Sequence, residues 1–83
     1  MSKLQEQRIK KGITQQELSN KTGISKRTIE AYEGKYHNLS GAKLKTLLKF
    51  CNALDCRLED IVEDRSLIEM IKKYYERINS ESK

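Results

Sequence analysis

The sequence predicts an all-α fold. Three observations lead there: no stretch alternates apolar and polar residues at the two-residue period of a strand, several stretches repeat at the helical period, and those stretches are bracketed by helix-capping residues. The chain has 83 residues, a formal net charge of +5 and two cysteines. At that size it buries only about 60–65% of its unfolded surface, so one compact core is all it can build.

The first helix spans KLQEQRIKK and stops at Gly12, a residue suited to the left-handed conformation that ends helices. The second opens at Thr14. Glu17 lies three residues on, so the two side chains can each satisfy an orphan amide of the first turn, and the helix ends at Gly23. Ser25 caps the third helix, Lys26 to Glu33, in which Ile29 and Tyr32 share one face. A loop from Gly34 to Ser40 follows. The fourth helix, Ala42 to Leu54, carries an apolar stripe of Leu44, Leu47, Leu48, Cys51 and Leu54 that reads as core. Asp55-Cys56 breaks it, and Leu58, Ile61 and Val62 mark a short fifth helix. A sixth stretch, Arg65 to Asn79 with Asp64 as cap, is amphipathic: Leu67, Ile68, Ile71, Tyr74, Tyr75 and Ile78 oppose Glu69, Lys72, Lys73, Glu76 and Arg77. The last residues, NSESK, offer nothing to bury and are expected to fray.

Composition excludes several classes of function. No apolar run approaches the ~18 residues of a membrane span, and the N-terminus lacks the apolar middle of a secretory signal, so the chain is expected to be soluble and cytoplasmic. Cys51 and Cys56 are too few for a disulfide framework and lack zinc-site spacing; Cys51, on an apolar stripe, reads as a reduced core thiol. His37 stands alone in a loop, a surface residue rather than a ligand or base. Ser40-Gly41 lacks the flanks of a phosphate loop or nucleophile elbow. No catalytic group, metal site or cofactor site assembles, so the chain is not expected to be an enzyme. Charge is instead concentrated: residues 1 to 36 hold eight Lys/Arg against four acids, residues 37 to 83 nine against eight. That asymmetry fits a polyanion-binding face or a solubilising lysine content equally well.

The second and third helices are joined by a few residues around a glycine, which sets two helices at a steep angle as in a helix-turn-helix. Counting from Gln15, the inward places fall to Leu18, Thr22, Ile24, Ile29 and Tyr32, the close-contact place to Ser19 and the turn to Gly23. The stretch LQEQRIKKGITQQELSNKTGISKRTIEAYE, followed by a polar loop, a leucine-striped helix and LDCRLEDIV, resembles the DNA-binding domains of the lambda repressor and Cro type, the XRE family of bacterial and phage regulators. The resemblance covers roughly residues 3 to 62. It implies a five-helix lambda-repressor-like domain over 1–63, with the amphipathic helix and tail, 64–83, as an addition.

The resemblance also implies residue roles. The second helix docks across the phosphate backbone and the third lies in the major groove. Gln15 matches a phosphate-contacting position, with Thr14 and Gln16 beside it, and Thr28 matches a position near the backbone. Ser25, Lys26, Arg27 and Ala31 match the positions that face the DNA and are carried over as the base-reading set. Lys35, Tyr36 and Asn38 lie where the family makes further phosphate contacts. Arg8 and Glu33 match a pair that is often an internal ion pair. Side-chain chemistry agrees: the guanidinium fork of Arg27 suits guanine O6 and N7, Lys26 can take a base or a phosphate, and the Ala31 methyl suits a thymine methyl. Glu30 reads as a solubilising charge or an intrahelical partner of Arg27.

Two positions depart from the family pattern. Glycine follows Glu33 directly at Gly34, one place early, so either the helix ends sooner or Lys35 is strained. Thr22 stands where an aliphatic is usual, and can offset the packing loss by bonding back to a carbonyl.

The stripe of Leu67, Ile71, Tyr74, Tyr75 and Ile78 needs a surface beyond the five-helix core. Pairing with a second copy is the expectation, folding back onto the core the alternative. The function expected is a sequence-specific double-stranded DNA-binding transcriptional regulator, a repressor acting as a homodimer on a palindromic operator. The competing reading is an antitoxin whose C-terminal segment covers a toxin while the same domain autoregulates its operon.

Overall fold

A computed structural model describes residues 1–34 and 39–81. In order they form α1 (Lys3–Lys10), α2 (Gln15–Thr22), α3 (Lys26–Glu33), a 3-10 turn at Leu39–Gly41, α4 (Leu44–Leu54), a second 3-10 turn at Leu58–Asp60, and α5 (Arg65–Glu81). No strand occurs among the described residues, and none of their helices is long and apolar enough to cross a membrane.

Local chemistry sets the helix ends. Gly12 and Gly23 take φ of 71° and 75°, the left-handed region where a side chain is strained, and terminate α1 and α2. The reciprocal cap at the start of α2 is complete: the Glu17 amide donates to Thr14 Oγ1 and the Thr14 amide to Glu17 Oε1, both at 3.0 Å. Ser25 Oγ accepts from the Thr28 amide at 3.2 Å, which opens α3. Asp64 Oδ1 accepts from the amides of Ser66 at 2.9 Å and Leu67 at 3.3 Å, which opens α5. Asp55 ends α4 in the left-handed region, at φ 50°. Thr22 does bond back: its hydroxyl donates to the Leu18 carbonyl at 2.8 Å and accepts from the Ile24 amide at 3.1 Å.

The core is one cluster drawn from α1 to α4, the first 3-10 turn and the two residues that follow the second: Leu4, Leu18, Ile29, Leu39, Leu47, Phe50, Cys51, Leu54, Ile61 and Val62. Phe50, fully buried, meets the half-buried ring of Tyr32 edge-on, with centroids 6.0 Å apart. Burial pushes the Cys51 thiol up to about 12, as befits an inert core group. Ser40 Oγ accepts from the amides of Glu63 and Asp64, both at 3.2 Å, and so fixes the chain's entry into α5.

Four expectations need correction. Helix α4 begins at Leu44 rather than Ala42, and its buried stripe is Leu47, Phe50, Cys51 and Leu54; Leu44 and Leu48 are 60% and 43% exposed. The face that meets Tyr32 and Leu18 is rotated from the one the leucines suggested. The fifth helix is a single 3-10 turn, since a three-residue spacing of apolar side chains suits 3-10 geometry as well as α. Leu39 and Ser40, expected as loop, belong to the 3-10 turn Leu39–Gly41, and Leu39 is buried. Finally, α5 continues past Asn79 to Glu81.

Helix α5 folds back onto the core over its first turns only. Leu67, Ile68 and Ile71 pack against the core, whereas every described side chain from Lys72 to Asn79 is exposed. The molecule extends 42 × 24 × 21 Å along its principal axes.

Candidate nucleic-acid interface

The central feature of the site is an ion pair that ties three helices together. Glu33, the last residue of α3, accepts from Arg8 Nε at 2.8 Å and from the guanidinium's terminal nitrogen at 3.0 Å, a bidentate fork. The remaining arm of Arg8 donates to the Ile13 carbonyl at 3.0 Å, bracing the turn between α1 and α2. The side chains are only 12% and 4% exposed. The hydrogen bond to Glu33 holds the Arg8 pKa above its ordinary value, against the opposing effect of burial. The expected pair is therefore present. Sequence reasoning missed its third member: Gln15 Nε2 donates to Glu33 Oε1 at 3.0 Å, joining the start of α2 to the same carboxylate. No sequence signal marks this contact, because it depends on the distance between two helix ends 18 residues apart.

With α3 held at its far end, its other end faces outward. Ser25, Lys26, Arg27 and Thr28 are exposed, Ala31 is half-buried, and Ile29, a turn from the cations, is fully buried. The helix thus presents its cationic N-terminal end while its apolar face anchors it. Glu30, exposed, lies on the same helix.

Beside this end lies a groove of about 470 Å³ lined by Arg8, Ile9, Gly12, Ile13, Thr14, Gln15, Gln16 and Lys26. It brings together three of the residues expected at phosphate, Thr14, Gln15 and Gln16, and one residue expected at bases, Lys26, while Thr28 does not line it. The groove contains the N-terminus of α2. The capping box occupies the Glu17 amide, while the amides of Gln15 and Gln16 belong to the first turn, which has no intrahelical acceptors. Such amides and the helix dipole favour an anion, and Lys26 on the same groove adds a full positive charge. Gln16 has a partner of its own, since its Nε2 donates to Asn20 Oδ1 at 3.1 Å. Ile9, 51% exposed, supplies an apolar wall that the sequence reading did not name.

The early glycine is resolved in favour of the shorter helix. Helix α3 ends at Glu33, and Gly34 is extended at φ −85°, so the glycine is not used as a left-handed cap. Lys35, Tyr36, His37 and Asn38 lie outside the described residues.

Comparison of the chain with curated proteins and with solved structures gives no match. The profile of one family does match, over residues 3–65, which includes α1 to α4, both 3-10 turns and the groove just described. The match covers most of the chain, and the chain belongs to the Cro/C1-type helix-turn-helix DNA-binding domains.

Proposed function

We propose that the chain is a sequence-specific transcriptional regulator, a repressor whose two copies occupy the half-sites of a palindromic operator. Residues 1–63 form the DNA-binding unit and 64–83 an appended segment that joins the copies. The observation that carries the reading is the Arg8–Glu33–Gln15 network, which fixes α3 with Lys26 and Arg27 outward next to the α2 groove. In this pose Arg27 reads a guanine edge, and Lys26 a base or a phosphate. Ser25 and Ala31 face the groove floor, while Thr14, Gln15, Gln16 and Thr28 contact phosphates. One eight-residue helix makes few base contacts. Two related by a twofold axis read half-sites about one helical turn, ~34 Å, apart.

The test is selection of bound duplexes from a random pool at fixed salt, followed by titration of variants. Arg27→Ala is expected to lower affinity for the selected site by ~1–3 kcal/mol and to relax preference at one base pair. Gln16→Ala, chosen over Gln15 because it lies outside the ion-pair network, is expected to weaken selected and random DNA alike. Equal losses on both DNAs for Arg27→Ala would remove it from base readout.

A further inference from the structure

The two cysteines meet where α4 ends. Asp55 turns left-handed at φ 50°, and the Cys56 amide then donates back to the Cys51 carbonyl at 3.1 Å. A closure of this kind sets the side chains of its first and last residues against one another. Here both are thiols, and the Cys51 and Cys56 side chains are hydrogen-bonded to each other. Cys51 is buried in the core and Cys56 is half-buried, so the pair has one sulfur inside and one that solvent reaches.

The surroundings are acidic. Glu59 buries one carboxylate oxygen, Oε1, without a hydrogen-bond partner among the described residues, while Oε2 lies 4.0 Å from an Arg57 nitrogen. The charges of Asp60 and Glu59 both reach Cys51. A buried, unpaired carboxylate oxygen is costly, and a cation nearby relieves it. Burial is the chief cause of a raised pKa at both thiols, which keeps them protonated. Disulfide formation needs a thiolate to attack, so these two sulfurs are poorly suited to it.

A metal ion makes a different demand, because it displaces the protons itself. Sulfur ligands select soft ions. Exchange of two thiol protons for one divalent ion leaves the charge of the site as it was, whereas a monovalent ion would add a negative charge to the core beside Glu59 and Asp60. Among the described residues no three metal-ligating side chains are grouped, so tetrahedral zinc lacks its ligand set, while an ion that takes two thiolates in line is served by the pair alone. Two metal–sulfur bonds of ~2.3 Å set the sulfurs ~4.6 Å apart, a slight opening of a hydrogen-bonded pair; a disulfide would need them at ~2 Å.

We infer that Cys51 and Cys56 form a binding site for one soft divalent ion of the mercuric class, held in line between the two sulfurs at the end of α4. The step is an exchange without oxidation: two S–H bonds break, two metal–sulfur bonds form, and two protons leave to solvent, giving a neutral bis-thiolate that the core can hold. Cys56 meets the ion first and Cys51 closes on it from inside. The clamp ties the last turn of α4 to the segment that leads into the second 3-10 turn, so it adds to the stability of the folded chain. Neither cysteine lines the groove beside α3, which keeps the site apart from the proposed DNA contacts.

The test is a titration of the full chain with mercuric chloride in the presence of excess monothiol. Native mass spectrometry is expected to show one ion per chain with the loss of two protons, and one equivalent is expected to raise the melting temperature by several degrees. Cys56→Ala, a change at a half-buried position, is expected to melt as the free wild type does, to give up the ion to the monothiol and to show no rise. Zinc chloride is expected to leave the wild-type melt unchanged. Two ions per chain, loss of the ion from the wild type to the monothiol, or retention by Cys56→Ala would each overturn the inference. So would a fall in melting temperature on loading, which shows an ion that prefers the unfolded chain, or an equal rise with zinc, which shows a site of more than two ligands. The DNA reading is judged separately, by the Arg27→Ala titration.

Discussion

Glu33→Ala removes the acceptor of three hydrogen bonds, two from the Arg8 fork and one from Gln15. Deleting one partner of a buried pair costs ~3–5 kcal/mol because the other charge is stranded. Arg8 keeps its bond to the Ile13 carbonyl and is 12% exposed, so water reaches it in part and the low end applies, about 3 kcal/mol. A chain of 83 residues has ~4–12 kcal/mol in all. The loss is therefore a large fraction, equivalent to a fall in Tm of about 12–24 °C. Urea denaturation followed by helical circular dichroism measures it, with an unchanged m-value confirming that the folded state itself is intact. Glu33→Gln, which keeps the shape and one acceptor, is expected to cost less, ~1–2 kcal/mol, and guards against outright unfolding of the alanine variant. Replacing both partners with apolar residues, Arg8→Met with Glu33→Leu, is expected to be less damaging than either single change. A Glu33→Ala loss below about 1 kcal/mol would refute the reasoning, since that is what an exposed pair gives. On the Arg8 side the pair adds no pH dependence near neutrality. Its raised pKa means the stabilisation is complete below the ordinary arginine value and disappears only as the pH climbs through the still higher folded value.

Three further outcomes are expected. Phe50→Ala, at a fully buried ring, costs ~3–5 kcal/mol, whereas Leu44→Ala, at 60% exposure, costs well under 1 kcal/mol; comparable losses by urea denaturation would contradict the assigned face of α4. Gly23→Ala costs ~1–2 kcal/mol through its left-handed backbone, while Gly34→Ala is close to neutral, because Gly34 is extended and a methyl there lies 3.4 Å from the Glu30 carbonyl oxygen. Thermal melting separates the two glycines. Glu17 and Asp64 are both held below their ordinary values, the first chiefly by the Thr14 amide and the second chiefly by the Ser66 hydroxyl. The stability they add is thus present above about pH 4 and lost as pH falls through the lower folded values. Combining Glu17→Gln with Asp64→Asn is expected to flatten the acid limb of a melting-versus-pH curve, and an unchanged limb would show that neither cap titrates with folding.

What could be read in advance was whatever is decided within about four residues. Thr14 with Glu17, Ser25, Asp64 and the two left-handed glycines fall in the predicted places, because a cap is closed by its own neighbours. The stripe on α4 was legible only in part: Leu47, Cys51 and Leu54 are buried as expected, and Phe50 is buried in place of Leu44 and Leu48, but Leu44-Leu47-Leu48-Cys51 and Leu47-Phe50-Cys51-Leu54 are both helical repeats. Which of them is core depends on where the Tyr32 ring arrives from α3. The same limit applies to α5, whose stripe is continuous in sequence although only its first turns reach the domain; a period says which face is apolar, not how far the neighbouring surface extends. At the site, the exposure of Lys26 and Arg27 against buried Ile29 follows from helical spacing alone. The attachment of Gln15 to Glu33 does not, because it joins residues from different helices.

That attachment changes what the ion pair is for. Glu33 terminates the helix that carries Lys26 and Arg27, and Gln15 begins the helix whose N-terminus opens onto the groove. The carboxamide of Gln15 has two N–H groups, of which one is given to Glu33; in the proposed docking the other donates to a phosphate. On the docking proposed above, the phosphate anchor and the base-reading residues are then linked through a single carboxylate that is 4% exposed. Base discrimination depends on donors being held within a few tenths of an ångström, and a linkage of this kind converts a backbone contact into a fixed register for Arg27. Stability alone would favour apolar residues at Arg8 and Glu33, which removes the desolvation of two charges. The apolar double variant should accordingly fold well and still bind DNA through its phosphate contacts. Its preference for the selected site over random duplex should fall, since Gln15 no longer has a carboxylate to orient it.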